Sequence, residues 1–211
     1  MKDSRPSWVQ MTLLARFDDC SDDVAIRDCT SDRHQEYRYG ELSRKVFSIS
    51  GQLRPFYGER ALLLLPGDSQ FVFGFLACVI SGVTAVPVNL PGVQRLRRVR
   101  LMLEHILQDC QPRVILALSS SKAELERMGW HQNRTVIYLD QIAGNAPGID
   151  LKAIRAASGP ILLQYSSGST GKPKAVCNHD DNIHHHHQLM TGMHPTMAGI
   201  EPATFGFGGR F

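Results

Sequence analysis

Paired cysteines, a hydrophobic leader and a strong excess of charge are all missing from this sequence. Its five cysteines, Cys20, Cys29, Cys78, Cys110 and Cys177, are scattered, and none forms the CxxC pair typical of zinc sites. The first residues lack the apolar core of a signal peptide, so reduced thiols and a cytoplasmic protein are expected. A net charge of +3 is too small to favour nucleic acid as a partner.

Residues 71–90 form a charge-free run that is long enough to be tested as a membrane-spanning helix, which takes about 20 residues. Gly82 and the β-branched residues after it predict instead that a helix ends there and a strand begins. We therefore expect a buried helix followed by a buried parallel strand, and no integral membrane segment.

Most of the chain alternates between strand-like and helix-like apolar patterns. Strands are predicted at 24–26, 36–39, 61–65, 84–88, 114–118, 135–139 and 161–165. Helices are predicted at 12–17, 41–53, 69–81, 95–110, 122–128 and 151–157. This alternation predicts an α/β fold with a mostly parallel sheet, flanking helices, and ligands bound beyond the carboxyl ends of the strands.

The segment directly after the last predicted strand has the chemistry of a phosphate-binding loop. Its glycines let backbone N–H groups approach a ligand, and its hydroxyl and ammonium groups suit phosphate oxygens. Because Pro173 blocks a following helix, the loop is expected to bind through its own donors. The candidate binding residues are Ser166, Ser167, Gly168, Ser169, Thr170, Gly171, Lys172, Pro173 and Lys174.

Two familiar phosphate loops do not fit this segment. A Walker loop would need Ser or Thr at Pro173 and glycine at Ser166, and the dinucleotide fingerprint would need a second glycine two residues after Gly168, where Thr170 stands. A flexible linker shares the composition, but two lysines bracketing a proline next to a strand favour a binding loop. An unrelated phosphate-binding α/β module stays open as an alternative.

Two further clusters have simpler interpretations. The arginines at 95, 97, 98 and 100 fall outside the apolar stripe of their predicted helix, which favours a solvated face. The histidines at 179 and 184–187 lack one-sided ligand spacing, so no catalytic metal is predicted there.

The string Ser-Ser-Gly-Ser-Thr-Gly-Lys-Pro-Lys, at 166–174, resembles the phosphate-binding signature of the adenylate-forming enzymes. This superfamily includes acyl-CoA synthetases, peptide-synthetase adenylation domains and fatty acyl-AMP ligases. Segments 36–42, 60–67 and 71–87 are also similar to the family, and 96–116 is most similar to the fatty acyl-AMP ligases. The similarity covers about residues 8–190 and treats 179–182 as the end of a strand entering a helix.

The resemblance implies that the protein uses ATP and Mg²⁺ to convert a carboxylic acid, a fatty acid by its nearest likeness, to an acyl-adenylate with release of pyrophosphate. Residues 166–174 would hold the pyrophosphate, chiefly through Lys174 and the hydroxyls of Ser167, Ser169 and Thr170. An acyl carrier protein or CoA is the implied acceptor. An acyl-CoA synthetase fragment, a peptide-synthetase fragment and a non-catalytic nucleotide-binding remnant are the alternatives.

The sequence also departs from the family. Family members are more than twice as long, and their catalytic lysine and Mg²⁺-linked acidic residue have no counterpart here. We therefore expect residues 1–195 to be an incomplete adenylation domain, inactive alone, and residues 196–211 to be a foreign or disordered tail. Ala175 stands where glycine is usual, which would cost about 1 kcal/mol if that position needed a positive φ.

Overall fold

Helices and strands alternate along the chain, as its apolar pattern predicts. The computed structural model describes residues 6–30, 34–88, 96–143, 154–155, 159–166, 173–193 and 203–205. The helices are α1 (Trp8–Asp19), α2 (Tyr39–Leu53), α3 (Ser69–Ser81), α4 (Leu96–Cys110), α5 (Lys122–Met128) and α6 (Asp180–Met193). The strands are β1 (Val24–Asp28), β2 (Gln35–Arg38), β3 (Arg60–Leu64), β4 (Thr84–Pro87), β5 (Val114–Ala117), β6 (Thr135–Tyr138), β7 (Leu162–Ser166), β8 (Lys174–Asn178) and β9 (Ala203–Phe205).

The main sheet has six strands in the order β6-β5-β3-β4-β7-β8. All neighbours are parallel except β7 and β8, which form an antiparallel hairpin at the edge. The predicted mostly parallel α/β fold is therefore confirmed. A smaller sheet has the order β2-β1-β9, in which β1 and β2 pair antiparallel and β9 pairs parallel to β1.

Strand β3 shows why its sequence is a continuous aliphatic run. Leu62 and Leu64 pack in an apolar cluster with α4 and α5, whereas Ala61 and Leu63 pack in a second cluster with α2 and α3. All four side chains are buried. A parallel strand covered by helices on both faces needs apolar residues at every position, not at alternate ones.

The charge-free run at 71–90 is divided by Gly82, as predicted. Gly82 ends α3 with a left-handed φ of 65°, and its N–H group donates to carbonyl oxygens of the last helical turn. A side chain here would also be strained, because a Cβ would lie 2.8 Å from the ring of Tyr57. Strand β4 follows directly. In the described part of the chain, no helix has both the length and the apolar character needed to span a membrane.

Three sequence-based expectations differ from the structure or fall outside it. Helix α1 begins at Trp8, ahead of residue 12, because Ser7 and Gln10 form a capping box. The helix expected at 151–157 falls almost entirely on residues outside the described ones, and the two that are described, Ile154 and Arg155, are not helical. In the arginine cluster, the only described side chain is that of Arg100, which is exposed and pairs with Glu104 at 2.7 Å.

Acid should weaken the contact between β1 and the start of α3. Asp28 accepts hydrogen bonds from the backbone N–H groups of Ser69 (2.9 Å) and Thr30 (3.1 Å). Burial alone would raise the pKa of Asp28, but these bonds and the Thr30 hydroxyl outweigh it and lower the pKa from 3.8 to about 2. A depressed pKa stabilises the fold above the unfolded value, and this contribution is lost as the pH falls from about 4 to about 2.

We therefore expect the stability difference between the unaltered chain and Asp28→Asn to shrink over that pH range. Urea denaturation at several pH values measures the difference. Asp18→Asn, at an exposed carboxylate of α1, is the control. A difference that stays constant down to about pH 2 would contradict the assignment.

Candidate functional site

Three of the predicted phosphate-binding residues, Ser166, Pro173 and Lys174, lie where β7 ends and β8 begins, and these two strands form a hairpin. Ser166 ends β7, Lys174 begins β8, and the two residues are cross-strand partners. Pro173 directly precedes β8, whereas Ser167 to Lys172 lie outside the described residues. The hairpin end is at the carboxyl edge of the parallel strands, where sheets of this class bind their ligands.

The base of the hairpin is anchored to the buried sheet. The Ile161 N–H group donates to the Asn178 carbonyl oxygen at 2.8 Å, and the Ala85 N–H group donates to the Ile161 carbonyl oxygen at 2.9 Å. The Thr84 hydroxyl donates to the Pro160 carbonyl oxygen at 2.6 Å. These bonds fix the position at which β7 begins. They therefore also fix the point at the edge of the sheet where the chain leaves β7 after Ser166.

The strand register places the predicted ligand groups on one exposed face. Cross-strand partners share a face, so Ser166 and Lys174 lie on the same side as the pair Gln164 and Val176. All four residues are exposed, with Val176 at 54%. One hydroxyl and one ammonium group therefore flank the loop on a surface open to a solvated anion.

The two unusual residues around Lys174 cause no strain in the backbone. Pro173 ends the loop, and an extended strand follows it, which agrees with the prediction that no helix can start there. Ala175 lies within β8, and Gln111 is the single non-glycine residue with positive φ in the described part of the chain. The penalty considered for alanine in place of glycine therefore does not arise.

Tyr165, the residue before Ser166, connects the hairpin to helix α4 on the opposite face. Its hydroxyl donates a hydrogen bond to Asp109 Oδ2 at 2.5 Å, and its ring packs against the apolar cluster beneath α4. Burial, together with the bond to the Asp109 carboxylate, raises the pKa of Tyr165 well above its usual range, so the phenol stays neutral and donates. Burial also raises the pKa of the neighbouring Cys110 thiol to about 11.

Helix α6 begins directly after the hairpin and is tied to the N-terminal helix. The strand ends at Asn178 and α6 begins at Asp180, as the resemblance predicts. The Asp180 carboxylate accepts hydrogen bonds from the backbone N–H groups of Trp8 and Val9, both at 3.0 Å. It therefore satisfies free donors at the start of α1 and lies where that helix dipole favours negative charge.

The histidines of α6 take part in this helix contact. The His184 ring stacks on Trp8 with centroids 4.3 Å apart, and the His187 ring lies 5.1 Å from the same indole. Among the residues for which the structure gives side chains, no three His, Cys, Asp or Glu groups are placed to hold a metal ion. The described role of His184 and His187 is thus packing between α1 and α6.

Sequence reasoning does not single out Tyr165 with Asp109, or Asp180 with the start of α1. The first pair is 56 positions apart, and Asp180 is 172 positions from Trp8. The only local signals are the tyrosine beside the serine-rich signature and the acidic residues that open α6.

Comparisons with known proteins agree with this architecture. The family model for AMP-binding enzymes matches residues 15–210. A medium-chain fatty acid–acyl-carrier-protein ligase, JamA, of Moorena producens is 32% identical over 161 residues, covering 70% of this chain and 26% of JamA. A hybrid polyketide–peptide synthetase, XenE, of Xenoacremonium sinensis is 26% identical over 195 residues, covering 90% of this chain and 5% of XenE.

A solved structure shows the same fold. The fatty acyl-adenylate ligase from L. pneumophila, solved in complex with acyl adenylate and pyrophosphate, superposes with a TM-score of 0.69 at 20% identity. The match covers 87% of this chain and 32% of that one. This chain thus spans about a quarter to a third of the length of JamA and the Legionella ligase.

The family match also bears on the end of the chain. It continues to residue 210, past residue 195, and β9 within the tail pairs with β1. The division of the chain at residue 195 stays a prediction. Since the family model matches almost the whole chain and the parallel sheet agrees with it, this protein belongs to the AMP-binding, adenylate-forming enzyme family.

Proposed function

We propose that this chain is the phosphate-binding part of an enzyme that activates a fatty acid to an acyl-adenylate with ATP, releasing pyrophosphate. The observation that supports it best is the hairpin that brings Ser166 and Lys174 together at the carboxyl edge of the sheet. The Legionella ligase, of the same fold, was solved with the two products of that reaction, an acyl adenylate and pyrophosphate.

In the proposed reaction, a carboxylate oxygen attacks the α-phosphorus of ATP. A new bond forms between that oxygen and phosphorus, the bond between the α-phosphorus and the bridging oxygen breaks, and pyrophosphate leaves with the electron pair. Negative charge grows on the leaving group, so fixed donors and cations beside it lower the barrier. Lys174 and the loop hydroxyls are the groups of this chain that would supply this stabilisation.

The loop would hold the β- and γ-phosphates, not the adenosine. Lys174 supplies a compact point charge, and Ser166 supplies a hydroxyl on the same exposed face. Mg²⁺ would arrive bound to the nucleotide, because it usually binds through substrate phosphates and retained waters. Its contribution would be to neutralise phosphate charge.

The acyl substrate and the acceptor follow from the relatives. We propose a fatty acid as the acid and an acyl carrier protein as the acceptor, because JamA, at 32% identity, is a ligase of that kind. CoA is the second candidate acceptor. The match to a polyketide–peptide synthetase over 90% of this chain makes an amino acid adenylation domain the competing candidate.

Ligand binding by the chain itself tests the proposal. We expect magnesium pyrophosphate and magnesium ATP to bind at least about tenfold more tightly than AMP, because AMP lacks the phosphates that the loop would hold. Isothermal titration calorimetry measures all three. Equal binding of AMP and pyrophosphate, or no binding of pyrophosphate, would contradict the assignment of the loop.

Exchange of labelled pyrophosphate into ATP tests the reaction. We expect no exchange by this chain alone, and exchange stimulated by fatty acids once the chain is fused to the corresponding remainder of JamA. Stimulation by amino acids instead would support the adenylation-domain alternative. A fusion that is folded and binds ATP but exchanges with neither class would support the non-catalytic alternative.

A further inference from the structure

We infer that the hydrogen bond between Tyr165 and Asp109 holds the loop end of the hairpin on helix α4, so that Tyr165 is a positioning residue for the phosphate loop. This inference rests on the proposed function, since it concerns the loop assigned to pyrophosphate. The rest of the sheet supports that end of the hairpin only weakly.

Strand β7 is well supported at its base and poorly supported at its loop end. Its one register pair with β4 within the described residues is Leu162 with Ala85. Further along, Tyr165 and Ser166 pair with Ala175 and Lys174 of β8, which is itself an exposed edge strand. An edge hairpin without further contacts is expected to fray at its end.

Tyr165 supplies the missing support from the other face. Its side chain points away from the exposed face that carries Ser166 and Lys174, toward the cluster that contains Leu163 and Cys110. The phenol reaches the last turn of α4, where its hydroxyl donates to Asp109 and also lies beside the Cys110 thiol. One side chain thus links the residue before the loop to a helix.

Helix α4 is a firm attachment point. Its inward side chains Leu103, Ile106, Leu107 and Cys110 are each at most 5% exposed and pack on the parallel sheet. The bond is charge-assisted, since a neutral phenol donates to a carboxylate, and such bonds are stronger than those between neutral groups. Asp109 is exposed, so its role is to hold the tyrosine and not to fill the core.

Four variants of the whole chain test this inference. Tyr165→Phe and Asp109→Ala remove the bond, Asp109→Asn keeps an acceptor oxygen, and the double variant Tyr165→Phe/Asp109→Ala removes both partners. Tyr138→Phe is the matched control, because Tyr138 packs on the same cluster from β6, four strands away from β7. Circular dichroism verifies that each variant is folded.

The readouts are the affinity for magnesium pyrophosphate and the hydrogen exchange of individual amides. We expect Tyr165→Phe and Asp109→Ala each to weaken pyrophosphate binding about three- to tenfold, and Asp109→Asn about twofold or less. The double variant should bind no more weakly than the weaker single variant, because the two residues share one interaction. Exchange should speed up at Tyr165 and Ala175 and stay unchanged at Leu162.

Two outcomes would overturn the inference. In the first, the unaltered chain binds pyrophosphate and Tyr165→Phe binds it equally well; in the second, Tyr138→Phe weakens binding as much as Tyr165→Phe. Absence of binding by the unaltered chain would contradict the proposed function instead. In that case, the hydrogen exchange of the Tyr165 and Ala175 amides still tests whether Tyr165 orders the end of the hairpin. Unchanged exchange rates at these amides in Tyr165→Phe would show that Tyr165 does not order it.

Discussion

Lys174→Ala should weaken binding of magnesium pyrophosphate by roughly tenfold to a hundredfold. A hydrogen bond between charged groups contributes about 1.5–3 kcal/mol, and about 1.4 kcal/mol corresponds to a factor of ten in affinity. The expected loss is large because Lys174 is the first residue of β8 and is held in register opposite Ser166. Its backbone position is therefore set before a ligand arrives, and binding orders only its side chain.

Two further substitutions separate a specific contact from a general effect of charge. Lys122→Ala removes the same charge from an exposed lysine that follows β5, three strands from β7, and should change affinity little. Lys174→Arg keeps the charge and should recover part of the affinity. Equal losses for Lys122→Ala and Lys174→Ala, measured by calorimetry at one ionic strength, would remove Lys174 from the site.

Gln10→Leu should lower the free energy of unfolding by about 2–4 kcal/mol. Gln10 is 1% exposed, and its amide nitrogen donates to the carbonyl oxygens of Val79 and Arg155, both at 2.9 Å. Its amide oxygen accepts from the Ser7 N–H group at 2.8 Å. Leucine has a similar volume but cannot make these bonds, so the Arg155 carbonyl oxygen and the Ser7 N–H group would lose this partner, while the Val79 carbonyl oxygen would keep its bond from the Gly82 N–H group.

Urea denaturation measures this loss, and the same substitution at Gln52 is its control. Gln52 is an exposed residue of α2, so Gln52→Leu should change the free energy of unfolding by about 0.5 kcal/mol or less. A loss below about 1 kcal/mol in Gln10→Leu would show that the carbonyl groups find other partners.

The elements of the main sheet are those that a single sequence predicts best. Helix α3 spans Ser69–Ser81 as predicted, because Asp68 caps its start, Gly82 stops it, and most residues between them are apolar. The continuous aliphatic run at 61–65 predicts strand β3. A parallel strand that is covered by helices on both faces requires such a run. In these segments the local signal and the tertiary environment agree.

The hairpin shows where local signals stop. The predicted strand at 161–165 corresponds to β7, but β8 has an exposed pattern that no apolar periodicity marks, and its likeness to the family supplied the only hint. Its antiparallel pairing at the sheet edge and the face on which Lys174 lies come from the register with β7. Register depends on the paired strand, so the residues of β8 alone do not contain it.

Periodicity, turn residues and a long motif are local properties of the chain, so they were enough to predict the class of fold, the position of the candidate loop and the family. The bond from Tyr165 to Asp109, the bonds from the start of α1 to Asp180, and the bonds from Gln10 to Val79 and Arg155 could be found only in the folded protein. Each of these contacts joins residues that are far apart along the chain. Contacts of this kind follow from how the layers pack, and no pattern within a short window encodes them.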